Sequence, residues 1–149
     1  MKTLFDSNAY AEINQRIDKL RPDSQRQWGK MDVAQMLAHC VGPMEMAIGN
    51  KKPKRQLLGQ LIGWLAIKDY LSDKPFKPNL PTADGFKVAD PREFDREKTK
   101  LKTLIREFHE GGEASATTHP HSFFGQLTQK QWGETQYKHI DHHLRQFGV

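Results

Sequence analysis

Four stretches of this 149-residue chain repeat their apolar residues every three or four positions, and none alternates strongly with period two. That periodicity makes helices the building elements. The first stretch runs over Ser7–Leu20, where Asp6 or Ser7 can cap the N-terminus and Arg21-Pro22 stops it. The second follows the N-cap Asp32 and runs to Ile48, with Gly49 behind it. The third is expected to start at Asp90-Pro91, a cap followed by proline at the first helical position. Phe94, Leu101, Leu104, Ile105 and Phe108 carry its period, and Gly111-Gly112 ends it. The fourth begins at Thr128, with Gln131 completing a capping box, and ends at Gly148. The expected architecture is all-α: one domain over residues 1–149, folded as an antiparallel four-helix bundle.

Between the second and third patterns lies QLLGQLIGWLAIKDYL, Gln56–Leu71, apolar on almost every side. It predicts an extra short helix in that connection, buried on more than one face in the core or against a second copy. The preceding KKPKR, Lys51–Arg55, also admits attachment to a membrane surface, although the segment is too short to span a bilayer. The proline-bearing stretch Asp73–Pro91 reads as a long ordered loop. The formal charge of +5 and pI near 9.4 suit a soluble protein with lysine-rich faces. Nucleic-acid binding through that surface is an alternative, but no nucleic-acid motif accompanies it. A polar N-terminus without a signal-peptide pattern and a lone cysteine, Cys40, fit a reducing cytoplasm.

The chemistry concentrates in KHIDHHLRQF, Lys138–Phe147. At about 100° per residue, His139 and His143 lie only about 40° apart, at the edge of the face formed by Tyr137, Ile140, Leu144 and Phe147. His142 turns toward the flank, and Lys138, Asp141 and Arg145 fall opposite the apolar face. On the second helix, His39 shares the interior stripe with Gln35, Met36, Pro43 and Met46. Pro43 cannot bond the carbonyl of His39, which predicts a kink or helix end there. A single inward histidine is more often a satisfied core residue, and an i, i+4 pair also occurs on wet helix ends. Taken together, three imidazoles from two helices suit an open divalent-metal site.

The spacing H-x-x-x-H-x-x-Q at His139, His143 and Gln146, with His39 four residues after Gln35, resembles the DinB-like (DinB and YfiT) metalloenzyme superfamily. WGKMDVAQMLAHC, HPHSFFGQLT and QYKHIDHHLRQFG resemble a domain-of-unknown-function branch of it. The resemblance implies a four-helix bundle, often dimeric, with a divalent metal on His39, His139 and His143. It implies nickel or zinc ahead of iron or manganese. Some relatives in that superfamily transfer low-molecular-weight thiols to electrophiles, and others are described as hydrolases.

Such an ion activates bound water or thiol. No acidic general base stands out: Asp141 points away, and Glu12 and Glu45 are unsupported candidates. Gln35, Gln136 and Gln146 fall near the ligand stripes and could orient the imidazoles or hold water; surface exposure is the plain alternative. His119 and His121 could contact substrate from a loop, and Trp28 could wall a pocket or serve as a core aromatic. Cys40, about 100° round the wheel from His39, reads as a buried structural thiol. The expected function is a metal-dependent thiol transferase or hydrolase acting on a small molecule. The alternatives are a non-catalytic metal-binding bundle and a nucleic-acid-binding protein.

Overall fold

The computed structural model describes residues 1–82 and 84–149; Ala83, inside the loop expected over Asp73–Pro91, lies outside them. Five α-helices follow one another: α1 (Ser7–Lys19), α2 (Val33–Ala47), α3 (Leu57–Tyr70), α4 (Phe94–Glu110) and α5 (Gln129–Gln146). Short 3-10 turns lie at Asp84–Phe86 and Glu113–Ser115. The fold is all-α; among the described residues the only β pairing is an isolated bridge, His121 to Gly125. No helix among them is long and apolar enough to cross a membrane.

Local chemistry sets the helix starts. The Asp6 side chain accepts from the Ala9 amide, capping α1. Asp32 and Gln35 form a reciprocal capping box on α2, as Thr128 and Gln131 do on α5. α4 differs from expectation: it begins at Phe94 with Glu93 as N-cap, three residues beyond Pro91. Asp90 is engaged otherwise. Its carboxylate accepts from Arg92, and its carbonyl accepts from Gln35. Asp95 and Glu97 then place negative charge in the first turn, where the helix dipole favours it.

α2 contacts α4 and α5, and α1 contacts the same two helices. Their inward stripes share one core, with Ile13 and Ile17 from α1, Leu37 and Met44 from α2, Phe108 from α4 and Trp132 from α5 fully buried. The end of α5 is tied to α1 by Arg16, which pairs with Asp141 at 2.7 Å and donates to the Val149 carbonyl. The helix end that is one expectation for His39 to Pro43 is not found: one helix runs through the proline to Ala47. Met44 and Met46, just beyond the proline, are almost fully buried, and their packing offsets the lost backbone bond.

α3 corrects the sequence reading twice. It is 14 residues long, one more than α1, so it is no short insert. It is also far from buried: only Gly59 and Gly63 are buried, while Ala66, Ile67 and Tyr70 are half-buried and the rest is exposed. A β-carbon on either glycine would strike the backbone of Phe123, so two missing side chains allow helix and loop to touch. The Gln56 amide donates to the Ser122 carbonyl at one end of α3. At the other, Lys138 Nζ donates to the carbonyls of Tyr70 and Ser72, both at 2.6 Å. Lys138 was expected on the polar side of its helix; instead it is buried, capping α3 and lying over the Phe76 ring.

Candidate metal centre

His39 comes from the middle of α2, and His139 and His143 from adjacent turns of α5. Their ring centroids are nearly equidistant: 4.9 Å for His39–His139, 4.7 Å for His39–His143 and 4.8 Å for His139–His143. One ring nitrogen from each lies within 4.8 Å of the other two. Three histidines therefore converge on one point and could bind a metal ion.

Hydrogen bonds fix how the imidazoles face that point. His39 Nδ1 lies 2.8 Å from the Phe86 carbonyl, which can only accept, so the proton sits on Nδ1 and Nε2 keeps its lone pair. His143 Nδ1 lies 2.8 Å from Gln146 Oε1. The orientation of that amide is set in turn, because Gln146 Nε2 donates to the Trp28 carbonyl at 2.8 Å. His143 thus also carries its proton on Nδ1 and offers Nε2. His139 differs: its Nε2 is 3.0 Å from His39 Nε2, and its buried Nδ1 has no partner among the described residues. Burial favours the neutral form of all three. It pulls His39 below the usual histidine value and His139 well below it, and it lowers His143 to about 3. Neutral imidazole is the form that binds a metal.

The other expected site residues separate into groups. Gln146 orients His143, as just described. Gln136 is buried on α5, and its Oε1 has no partner among the described residues. Gln35 does not reach the histidines: its amide is taken by the Asp32 backbone and the Asp90 carbonyl. Trp28 holds Gln146 through its carbonyl, and its ring packs on His142. With Met31, Leu80, His142, His143 and Gln146 it lines a cavity of about 330 Å³ that reaches the histidine cluster. Gly29 follows with φ +83°, and a β-carbon there would collide with the Gln146 amide. His142, turned to the flank, also lines a second cavity of about 220 Å³ with Phe76, Tyr137 and Lys138.

His121 lines neither cavity; its Nδ1 accepts from the amides of Phe123 and Phe124, and its ring stacks on Phe124. It shapes the loop under α3. His119 bonds locally to the Pro120 carbonyl. Neither acidic candidate is free to serve as a base at the cluster. Glu12 is held by Lys2, Arg16 and Tyr137, and Glu45 by Lys51 and Lys100. Asp141 pairs with Arg16 and Arg145. Cys40 is buried beside Met36, and burial pushes its thiol up, away from the thiolate a metal would need.

The sequence reading missed Phe86, whose backbone carbonyl orients His39. One signal was available: Gly42, a mid-helix glycine. A β-carbon at Gly42 would meet the Phe86 ring, so the glycine lets that loop lie on α2 one turn beyond His39.

These features define a helical protein with a three-histidine cluster suited to a metal ion. The chain belongs to the family described as Protein of unknown function (DUF1569), whose sequence model matches residues 3–148. No curated protein and no solved structure matches the chain.

Proposed function

We propose that this chain is a divalent-metal-dependent enzyme of the DinB-like type, acting on a small molecule by thiol transfer or hydrolysis. In this reading α1, α2, α4 and α5 form the antiparallel bundle, and His39, His139 and His143 hold nickel or zinc, with iron or manganese also chemically suited. The observation that carries it is the convergence of three neutral imidazoles, two of them already turned by Phe86 and Gln146 to present Nε2. A structural core histidine needs hydrogen-bond partners, not two others at ligand distance. Three neutral ligands would leave a bound ion its full charge, and that ion would lower the pKa of a coordinated water or thiol and polarise a carbonyl.

The protein's own groups supply the rest. Trp28, Met31 and Leu80 give the adjoining cavity an apolar wall that suits the carbon part of a small substrate. Gln136 is the candidate to orient the third imidazole, that of His139. With the His39 proton on Nδ1, His139 Nε2 is the donor to the lone pair of His39 Nε2, 3.0 Å away. To offer Nε2 to an ion, His139 would have to carry its proton on Nδ1 instead. Gln136 Oε1, three residues away on the same helix, is a buried acceptor without a donor.

The test is metal content of untagged protein by elemental mass spectrometry, with His39→Ala, His139→Ala, His143→Ala and His142→Ala beside wild type. About one ion per chain is expected for wild type and His142→Ala, and none for the other three. Circular dichroism on each variant separates loss of the site from loss of the fold. Wild type that takes up no nickel, zinc, iron or manganese would remove the basis of the proposal. Uptake followed by unfolding on chelation would make the ion structural and leave the enzyme reading without support.

A further inference from the structure

We infer that α3 docks the protein onto the surface of an anionic phospholipid bilayer. Its outward residues are large, apolar and bare: Leu57 is 82% exposed, Leu61 73%, Trp64 64%, Leu58 58%, Leu65 56% and Ile62 44%. On the helical wheel they cover an arc of about 160°, centred opposite Gly59 and Gly63, which sit against the protein. Side chains this exposed stand out from the surface as a ridge rather than lining a groove. Contiguous apolar surface of this kind marks an interaction site.

The shape and charge of the ridge select the occupant. A single helix of a second copy packed against α3 meets it along one side and would leave part of so wide an arc wet. Acyl chains conform to a convex ridge and cover all of it. The cations around it match phospholipid headgroups. Lys52 and Lys54 are exposed in the segment leading into α3. Lys68 sits on the outer face with its Nζ 5.8 Å over the Trp64 ring, and Asp69 is the acidic residue at that end. Between Gln56 and Ile67 the helix carries no charge at all. Apolar insertion and headgroup attraction would act together, as they do for helices that lie in the plane of a membrane surface. The inference is independent of the metal site.

The experiment is co-sedimentation of the full chain with large unilamellar vesicles of phosphatidylglycerol and phosphatidylcholine, and with phosphatidylcholine alone. Sedimentation velocity without lipid runs in parallel. Binding to the anionic vesicles that weakens with salt is expected. Leu61→Gln/Trp64→Gln should reduce it by at least about tenfold. Lys52→Gln/Lys54→Gln should reduce it by about thirtyfold at low salt. All substituted residues are on the surface, so circular dichroism should report an unchanged fold. No binding to anionic vesicles, equal binding to neutral ones, or binding indifferent to Leu61→Gln/Trp64→Gln would each overturn the inference. A lipid-free dimer that Leu61→Gln/Trp64→Gln dissociates, with no vesicle binding, would overturn it in favour of a second copy.

Discussion

α5 and α3 invert the usual relation between composition and burial. α5 is written QKQWGETQYKHIDHHLRQ, a polar helix by content, yet ten of its 18 residues are buried, among them Gln136, Lys138, His143 and Gln146. α3, LLGQLIGWLAIKDY, buries two glycines of its 14 residues and turns its leucines to solvent. The polar groups of α5 can be inside because carbonyls and amides are placed to receive them: Tyr70 and Ser72 for Lys138, Gln146 for His143, Trp28 for Gln146. Among the described residues no comparable neighbour covers the leucines of α3. Burial here is decided by which element lies opposite.

The largest expected effect tests that contrast at its strongest point. Trp132 on α5 is fully buried, and Trp132→Ala should cost about 3–5 kcal/mol in urea unfolding. On α3 the comparable sensitivity falls on a glycine. Gly63→Ala drives a β-carbon into the Phe123 carbonyl, where the neighbour is backbone and cannot swing aside. A cost of about 1–3 kcal/mol is expected. If Trp132→Ala cost less than Gly63→Ala, the picture of α5 as the packed helix and α3 as the lightly seated one would fail.

The next effect separates orientation from capping among the glutamines. Gln146→Ala removes the acceptor of His143 and should weaken zinc or nickel binding by about 10–100-fold in calorimetric titration. Gln35→Ala should leave metal affinity unchanged and cost about 1 kcal/mol of stability, because Gln35 serves the capping box of α2. Equal losses of affinity in both would return Gln35 to the metal site.

These residues also show what could be read in the sequence. The wheel put His39, His139 and His143 on interior faces because helical spacing is local, and capped amphipathic stretches reveal it. The caps of α2 and α5 were legible for the same reason. Gln35 was not: its spacing from His39 suits a contact, but the capping box and Asp90 compete for the same amide. Lys138 and Phe86 depend on segments distant in sequence, the end of α3 and the loop before α4. No periodicity in α5 or α2 encodes either neighbour. The apolar character of α3 was visible, but whether anything faces it is a tertiary fact.

A smaller effect concerns the loop that seats α3. His121 accepts two backbone N–H bonds on Nδ1, and burial, with the nearby Arg55 charge, lowers it to about 4. The folded value lies below the unfolded one, so the unfolded chain binds the extra proton first. The stabilisation is fully present above the unfolded value near 6.5 and is lost as pH falls toward about 4. Between about pH 7 and about pH 5 the loss attributable to this group is at most about 2 kcal/mol. His121→Asn keeps a side-chain acceptor without the titration, and urea unfolding of this variant should show that much less acid sensitivity than wild type. An identical pH slope in both proteins would mean that the loop beneath α3 is open enough to take up the proton without strain.

The smallest effect is the most diagnostic of the comparison. Leu61 is 73% exposed, so replacing it with glutamine removes little surface that folding hides from water. Surface substitutions of this sort change stability by no more than about 0.5 kcal/mol. The same exchange at Leu144 on α5, which is 1% exposed, would leave a glutamine amide in the hydrophobic core. Its cost should be several times larger, since an unpaired buried amide adds a penalty of about 1–3 kcal/mol to the lost packing. Measured side by side in urea, the two leucine exchanges ask whether the exposed face of α3 takes any part in holding the isolated chain together. A near-zero value at Leu61 keeps that face available for an external surface. A cost at Leu61 approaching that at Leu144 would mean that the leucine is already covered in solution, by a second copy or by a repositioned α3.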